Sequence, residues 1–123
     1  MGPSASNRHF DWTITSFPAA GAQATVVRAA PGAGRRHVIT SVYGQYVAAG
    51  TVAAAGRTFM VLDGTTEVVT VGRFFPAITD DVILSYANAG MNYVCGDNAT
   101  VTIQFDGLNA NGQQCVTLTG YTI

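Results

Sequence analysis

Two histidines, two cysteines and seven carboxylates are the conventional acids, bases, nucleophiles and metal ligands in a chain of 123 residues. Asp80 and Asp81 stand side by side before an apolar run, where two carboxylates and nearby carbonyls can hold a hard cation such as calcium. A solvated turn uses the same pair to blunt a strand end, and that is the reading adopted. Glu67 and Asp106 are the carboxylates a glycosidase would set across a cleft, yet nothing in their spacing places them so. His9 and His37 are separated by at least one expected strand, and neither lies near a Ser or Cys in a nucleophile motif. Both read as structural or surface residues. "GAGRR" has the glycines of a phosphate loop without the GK[ST] ending or the following helix, which excludes nucleotide binding. Cys95 and Cys115 lack a CxxC partner and form no zinc motif. In a reducing compartment both are expected free, although they would approach each other if the segment before Ala99 folded back beside the last strand. No catalytic, cofactor-binding or metal-binding residue is assigned, and the chain does not read as an enzyme.

Aromatic side chains are the remaining candidates. Tyr43, Tyr46, Phe74, Phe75, Tyr86, Tyr93 and Tyr121 are the rings that could line a sugar groove. Phe74 and Phe75 are consecutive, so in a strand one points into the core and the other outward. An outward Phe calls for a covering loop or a partner subunit. Phe10, Trp12, Phe74, Phe75, Tyr86 and Tyr121 are the residues expected at an interface with other chains. "FDGLNANGQQ" offers the polar half of a sugar site and is equally a plain turn.

The elements that must position these residues follow a period of two. "HFDWTIT", "QATVVRA", "RHVITSVYGQYV", "RTFMVLD", "TTEVVTVGRFF", "DVILSYA" and two alternating runs within 98 to 123 make eight expected strands. Asp63 and Gly64 read as a hairpin turn, because both tolerate positive φ. The two closing runs read as a second hairpin, and only "GTVAAAG" offers a short helical turn. Eight short strands suit an all-β fold, a two-sheet antiparallel sandwich with a jelly roll preferred to an immunoglobulin-like Greek key. The immunoglobulin order of Cys, Trp and Cys is absent, since Trp12 precedes both cysteines. Residues 1–9 read as a partly mobile N-terminal arm and 10–123 as a single domain.

Composition narrows the function classes. Hydrophobic residues are 48% of the chain and charged ones only 11%, less than half of the roughly 25% usual in globular proteins. Either Thr, Ser, Asn and Gln solvate the exterior without formal charge, or part of that exterior is buried against other chains. The formal charge is −1 and every cationic side chain is Arg, with no long basic run. Nucleic acid is therefore not an expected partner. No apolar run approaches the length needed to span a bilayer or serve as a signal peptide, so no membrane partner is expected and synthesis in a cytoplasm is. The sequon at Asn98 then carries no glycosylation meaning.

The segments "GRRHVITSVYGQYVAAG…RTFMVLDG" and "GDNATVTIQFDGLNANGQQCVTLTGYTI" resemble a group of small virion proteins of tailed bacteriophages. In these a basic-His-Val-Ile strand precedes a strand ending in Asp-Gly, and a Gly-x-Asn-Ala-x-Val-Thr-Val strand precedes the last one. The match spans roughly residues 34 to 123. It implies a tumour necrosis factor-like jelly roll, assembled as a homotrimer on the capsid surface as a decoration or cement protein, with the major capsid protein as partner and no cofactor. Arg36 and His37 would open the long strand, Asp63 and Gly64 make the turn, and Gly96 to Val101 enter the penultimate strand. The residues before Arg35 and the two cysteines depart from the pattern. A carbohydrate- or receptor-binding module of a phage tail or bacterial protein is the alternative.

Overall fold

The computed structural model describes residues 11–79, 81–105 and 110–123, the side chain of Phe75 excepted. The expected arm, Phe10, His9, Asp80 and Asp106 lie outside the described residues. Eleven strands follow in chain order: β1 (Asp11–Ser16), β2 (Thr25–Arg28), β3 (His37–Ala48), β4 (Thr51–Val52), β5 (Ala55–Asp63), β6 (Thr66–Phe75), β7 (Ile78–Thr79), β8 (Val82–Asn88), β9 (Tyr93–Val94), β10 (Val101–Phe105) and β11 (Gly112–Thr122). Eight of them are four residues or longer and coincide with the eight expected from sequence. "GTVAAAG" contributes β4, which pairs with β7 instead of forming a helical turn. β-Branched Thr51 and Val52 suit an extended backbone better than a single helical turn.

The long strands form two antiparallel sheets, β1-β11-β3-β8 and β2-β10-β5-β6, with β9 added beside β3. Numbered by chain order among the eight, these read 1-8-3-6 and 2-7-4-5, the double Greek key of a jelly roll. Six of the seven links between long strands therefore cross from one sheet to the other. Only β5 and β6 form a hairpin, its loop residues being Gly64 and Thr65, with Asp63 already paired to Thr66. Gly64 has φ 60°, and its N–H donates to Thr100 O at 2.8 Å. The turn thus sits one residue later than Asp63–Gly64.

The closing pair is not a hairpin. β10 joins β2 and β5, whereas β11 lies between β1 and β3 in the opposite sheet. Alternation put Val101, Ile103 and Phe105 on one face, and Val116 and Leu118 on one face. These two faces meet across the core instead of lying side by side. Burying both apolar rows on each other removes more surface from water than pairing their backbones would.

At the centre, Phe105 stands edge-on to Tyr46 (centroids 5.4 Å apart, 82°) and 5.2 Å from Phe59, which continues to Tyr86 at 5.6 Å. Glycines admit these rings. A Cβ on Gly44 would strike the Phe59 ring, and one on Gly112 would strike the Tyr46 ring. The Tyr46 hydroxyl is buried with no hydrogen-bond partner among the described residues. The fold is thus an all-β jelly-roll sandwich.

Candidate functional site

Two surfaces stand out. The first is the outer face of the β1-β11-β3-β8 sheet. Strand register sets its side chains in rows: Thr13, Thr119 and Ser41; Thr15, Thr117, Tyr43 and Ala87; Cys115, Gln45 and Ser85; Gln113, Val47 and Val82. Strands β3, β8, β9 and β11 contain no Asp, Glu, Lys or Arg; Asp11, paired with Tyr121, stands at one corner of the face, and Asp81, directly before Val82, at another. Hydroxyls tie neighbouring strands, Thr13 to Thr119 at 3.3 Å and Thr15 to Thr117 at 3.0 Å. Tyr43 Oη donates to Gln45 Oε1 at 3.0 Å. Each of these threonines also carries a methyl group, so the face is part hydroxyl and part apolar.

The second surface is a groove of about 650 Å³ where β1 and β2, edge strands of opposite sheets, run beside the loop after β2. Trp12 forms its floor. The indole presses on Gly120, where a Cβ would lie 2.7 Å from the ring and strike Val38 O. The ring meets His37 edge-on at 5.5 Å and 82°, and the Arg28 guanidinium lies 4.8 Å over it. His37 is only 2% exposed. Its Nε2 lies 2.7 Å from Ala29 O, an oxygen that can only accept, so Nε2 carries the ring proton. Trp12 Nε1–H donates to Thr122 Oγ1 at 3.2 Å, which in turn lies 2.8 Å from His37 Nδ1. Thr122 Oγ1 thus bridges Trp12 and His37, and a chain of hydrogen bonds runs from Trp12 to Ala29. His37 is a fastener joining β3, β11 and the end of β2. Asp11, Ile14, Val27, Pro31 and Arg35 complete the groove.

Behind the groove, Asp63 receives the Gly96 N–H on both carboxylate oxygens (3.2 and 3.0 Å) and the Tyr93 hydroxyl at 3.1 Å. Burial, then this bond and the carboxylate charge, push the Tyr93 hydroxyl up. Burial, with the Asp63 charge beside it, pushes the Cys95 thiol up to about 12. Burial alone raises Cys115. Both cysteines are free. They neighbour β3 on opposite sides, near Val38 and at Gln45, so seven residues of strand at about 3.3 Å each separate their levels. No three His, Cys, Asp or Glu residues gather into a metal site among the described residues. Asp81 Oδ1 instead accepts the Val82 N–H at 2.7 Å, capping the start of β8. Asn98, at φ 51°, binds the Gly32 N–H at 2.8 Å through Oδ1.

The aromatic residues singled out from sequence do not converge. Trp12 floors the groove; Phe74 is 75% exposed on edge strand β6, opposite Gly56; Tyr86 packs on Phe59 at the rim of the core; Tyr121 is half-buried beside Asp11. Phe75 lies on the same strand as Phe74, opposite Ala55. Tyr46 is wholly buried. Sequence reasoning did not gather Arg28, Thr122 and His37 around Trp12, because Thr122 stands 110 residues from it and no local pattern spans such a distance.

No protein-family model matches the chain, and no curated protein is similar to it in sequence. Among solved structures, a "Carbohydrate-Binding Module CBM36 in complex with calcium and xylotriose" is similar at 14% identity and a TM-score of 0.30, over 94% of this chain and 88% of that one. A likeness so distant decides nothing about ligand or partner.

Proposed function

We propose that this protein is a structural subunit of a bacteriophage virion, a decoration or cement protein that docks on the assembled capsid surface as a homotrimer and performs no catalysis. The observation that carries this reading is the outer face of the β1-β11-β3-β8 sheet, four strands wide, with charge only at its margins, Asp11 and Asp81. Covering it desolvates hydroxyls already bonded to each other and methyl groups that gain from leaving water, with no ion stripped of its hydration. Closed symmetry then favours a ring of identical copies. A trimer touches several capsid subunits at once, so modest contacts add through effective concentration, and binding to the shell alone stabilises it by mass action.

Light scattering on the purified chain tests the first step. The expected particle is about 38 kDa, three times the chain's 12.8 kDa, and Cys115 on the covered face should react with maleimide more slowly than in a dissociated variant. A monomer both alone and on added capsids would sink the proposal. A second reading, a carbohydrate- or receptor-binding module, is favoured by the groove: it is concave, walled by Ile14, Val27 and Pro31, and has a few convergent polar groups.

A further inference from the structure

We infer that the groove between β1 and β2 binds a carboxylated sugar, a ring carrying both a carboxylate and hydroxyl groups. The inference deepens the binding-module reading and is independent of the capsid one. Three features of the groove match three features of such a ligand. Arg28 and Arg35 both line it, and neither guanidinium forms an ion pair or hydrogen bond with any described residue. The Arg28 guanidinium lies 4.8 Å over the Trp12 ring, and its planar fork of N–H donors suits a carboxylate in bidentate fashion.

Asp11, at the corner where β1 begins, also lines this space and pairs with neither arginine, an acceptor within reach of hydroxyl donors. That carboxylate argues against a phosphate dianion, which it would repel, and for a ligand that donates hydrogen bonds beside its one negative charge. Ile14, Val27 and Pro31 supply apolar wall for the C–H faces of a ring; Val27 is 56% exposed although it is β-branched and sits in a strand. The volume, about 650 Å³, lies within the range of small-ligand sites, roughly 300 to 1,000 Å³. Trp12 serves as floor and reporter, with the Arg28 guanidinium over its ring and Gly120 close to its Cη2 and Cζ2.

Trp12 is the only tryptophan of the chain, so its fluorescence reads the groove directly. Glucuronic acid titrated into the full-length protein should change that signal saturably, with glucose and acetate each binding at least about tenfold more weakly. Arg35→Gln should weaken glucuronic acid at least about fivefold without moving the melting temperature, because the exposed guanidinium has no partner in the fold; Arg28→Gln should do the same and shift the Trp12 emission. Raised salt should weaken binding in the parent and much less in the Gln variants. Acetate binding as well as glucuronic acid would reduce the groove to a bare anion site and overturn the inference, and so would tighter binding of a polyglutamate peptide. Glucose binding equally well would also overturn it while leaving the binding-module reading intact. Silence of every sugar in the titration and on a glycan array would remove that reading too.

Discussion

The two faces of the β1-β11-β3-β8 sheet are made from alternate residues of the same strands and solve opposite problems. On the inner face, Gly44, Gly112 and Gly120 remove side chains so that Phe59, Tyr46 and Trp12 can press against backbone. On the outer face, Thr13, Thr15, Thr117 and Thr119 keep side chains of one size that bond to each other across strands. One face fits large rings into gaps, and tolerates nothing added. The other is uniform, so its demands are on what lies opposite rather than on the fold. The two roles alternate along a single strand such as β11: Gly120 serves the close packing of the core side, and Thr119 the row of hydroxyls on the outer face.

Substitutions can break this contrast. Gly120→Ala should be the most damaging, at about 3 kcal/mol or more by urea unfolding, because its Cβ meets the Val38 carbonyl, which cannot rotate away as a side chain can. Gly44→Ala should cost somewhat less, on the order of 2 kcal/mol, through displacement of Phe59. A Gly120→Ala protein of parental stability would show that the close packing on this face is not what holds the sheet.

On the outer face, Thr117→Arg should shift scattering mass to the 12.8 kDa monomer while the melting temperature of the protomer moves by no more than about 3 °C. Loss of folding instead of loss of assembly would make the face structural for the monomer.

The thiols sharpen the comparison chemically. Maleimide at pH 8 should label Cys115 well before Cys95, which lies in the core with its thiol pushed up to about 12. An acid whose folded pKa is raised contributes stability that is complete below its unfolded pKa and lost as pH climbs to the folded value. Unfolding midpoints should therefore fall between about pH 9 and 12, and less so in Cys95→Ala than in the parent. Equal labelling of the two thiols in the native state would refute the assignment.

The smallest change concerns a buried polar atom. Tyr46→Phe removes a hydroxyl without a partner, so stability should stay level or rise by up to about 1 kcal/mol. A loss of that size would mean the hydroxyl is bonded in solution.

Much of this was legible in the residues. Alternation marked the eight long strands and which residues face inward, since side-chain direction is a local property of an extended backbone. Partnership is not local. The runs around Ile103 and Leu118 alternate alike whether they pair with each other or face each other, which is why β10 and β11 read as a hairpin and proved to lie in different sheets. Glycines inside strands were visible as interruptions, but their purpose depends on rings from the other sheet. The groove was least legible: Trp12 was marked as an interfacial aromatic, while Arg28, His37 and Thr122 came to it only through the crossing of strands far apart in the chain. Low charge was plain from composition, and only register revealed that β11, β3 and β8 line up into one face from which it is excluded.

The pairing of β1 with β11, Asp11 opposite Tyr121, also sets the order in which the molecule can be made. A ribosome releases β1 before β11, so the nascent chain carries β1 without its partner until β11 has been made. β3 waits as well, because β11 is the strand that fills the space between them. Only the β5–β6 hairpin can close early from neighbouring residues. Folding should therefore be slow for a chain of this length, in the range of milliseconds to seconds typical of topologies dominated by distant partners, and dependent on the last strand to appear.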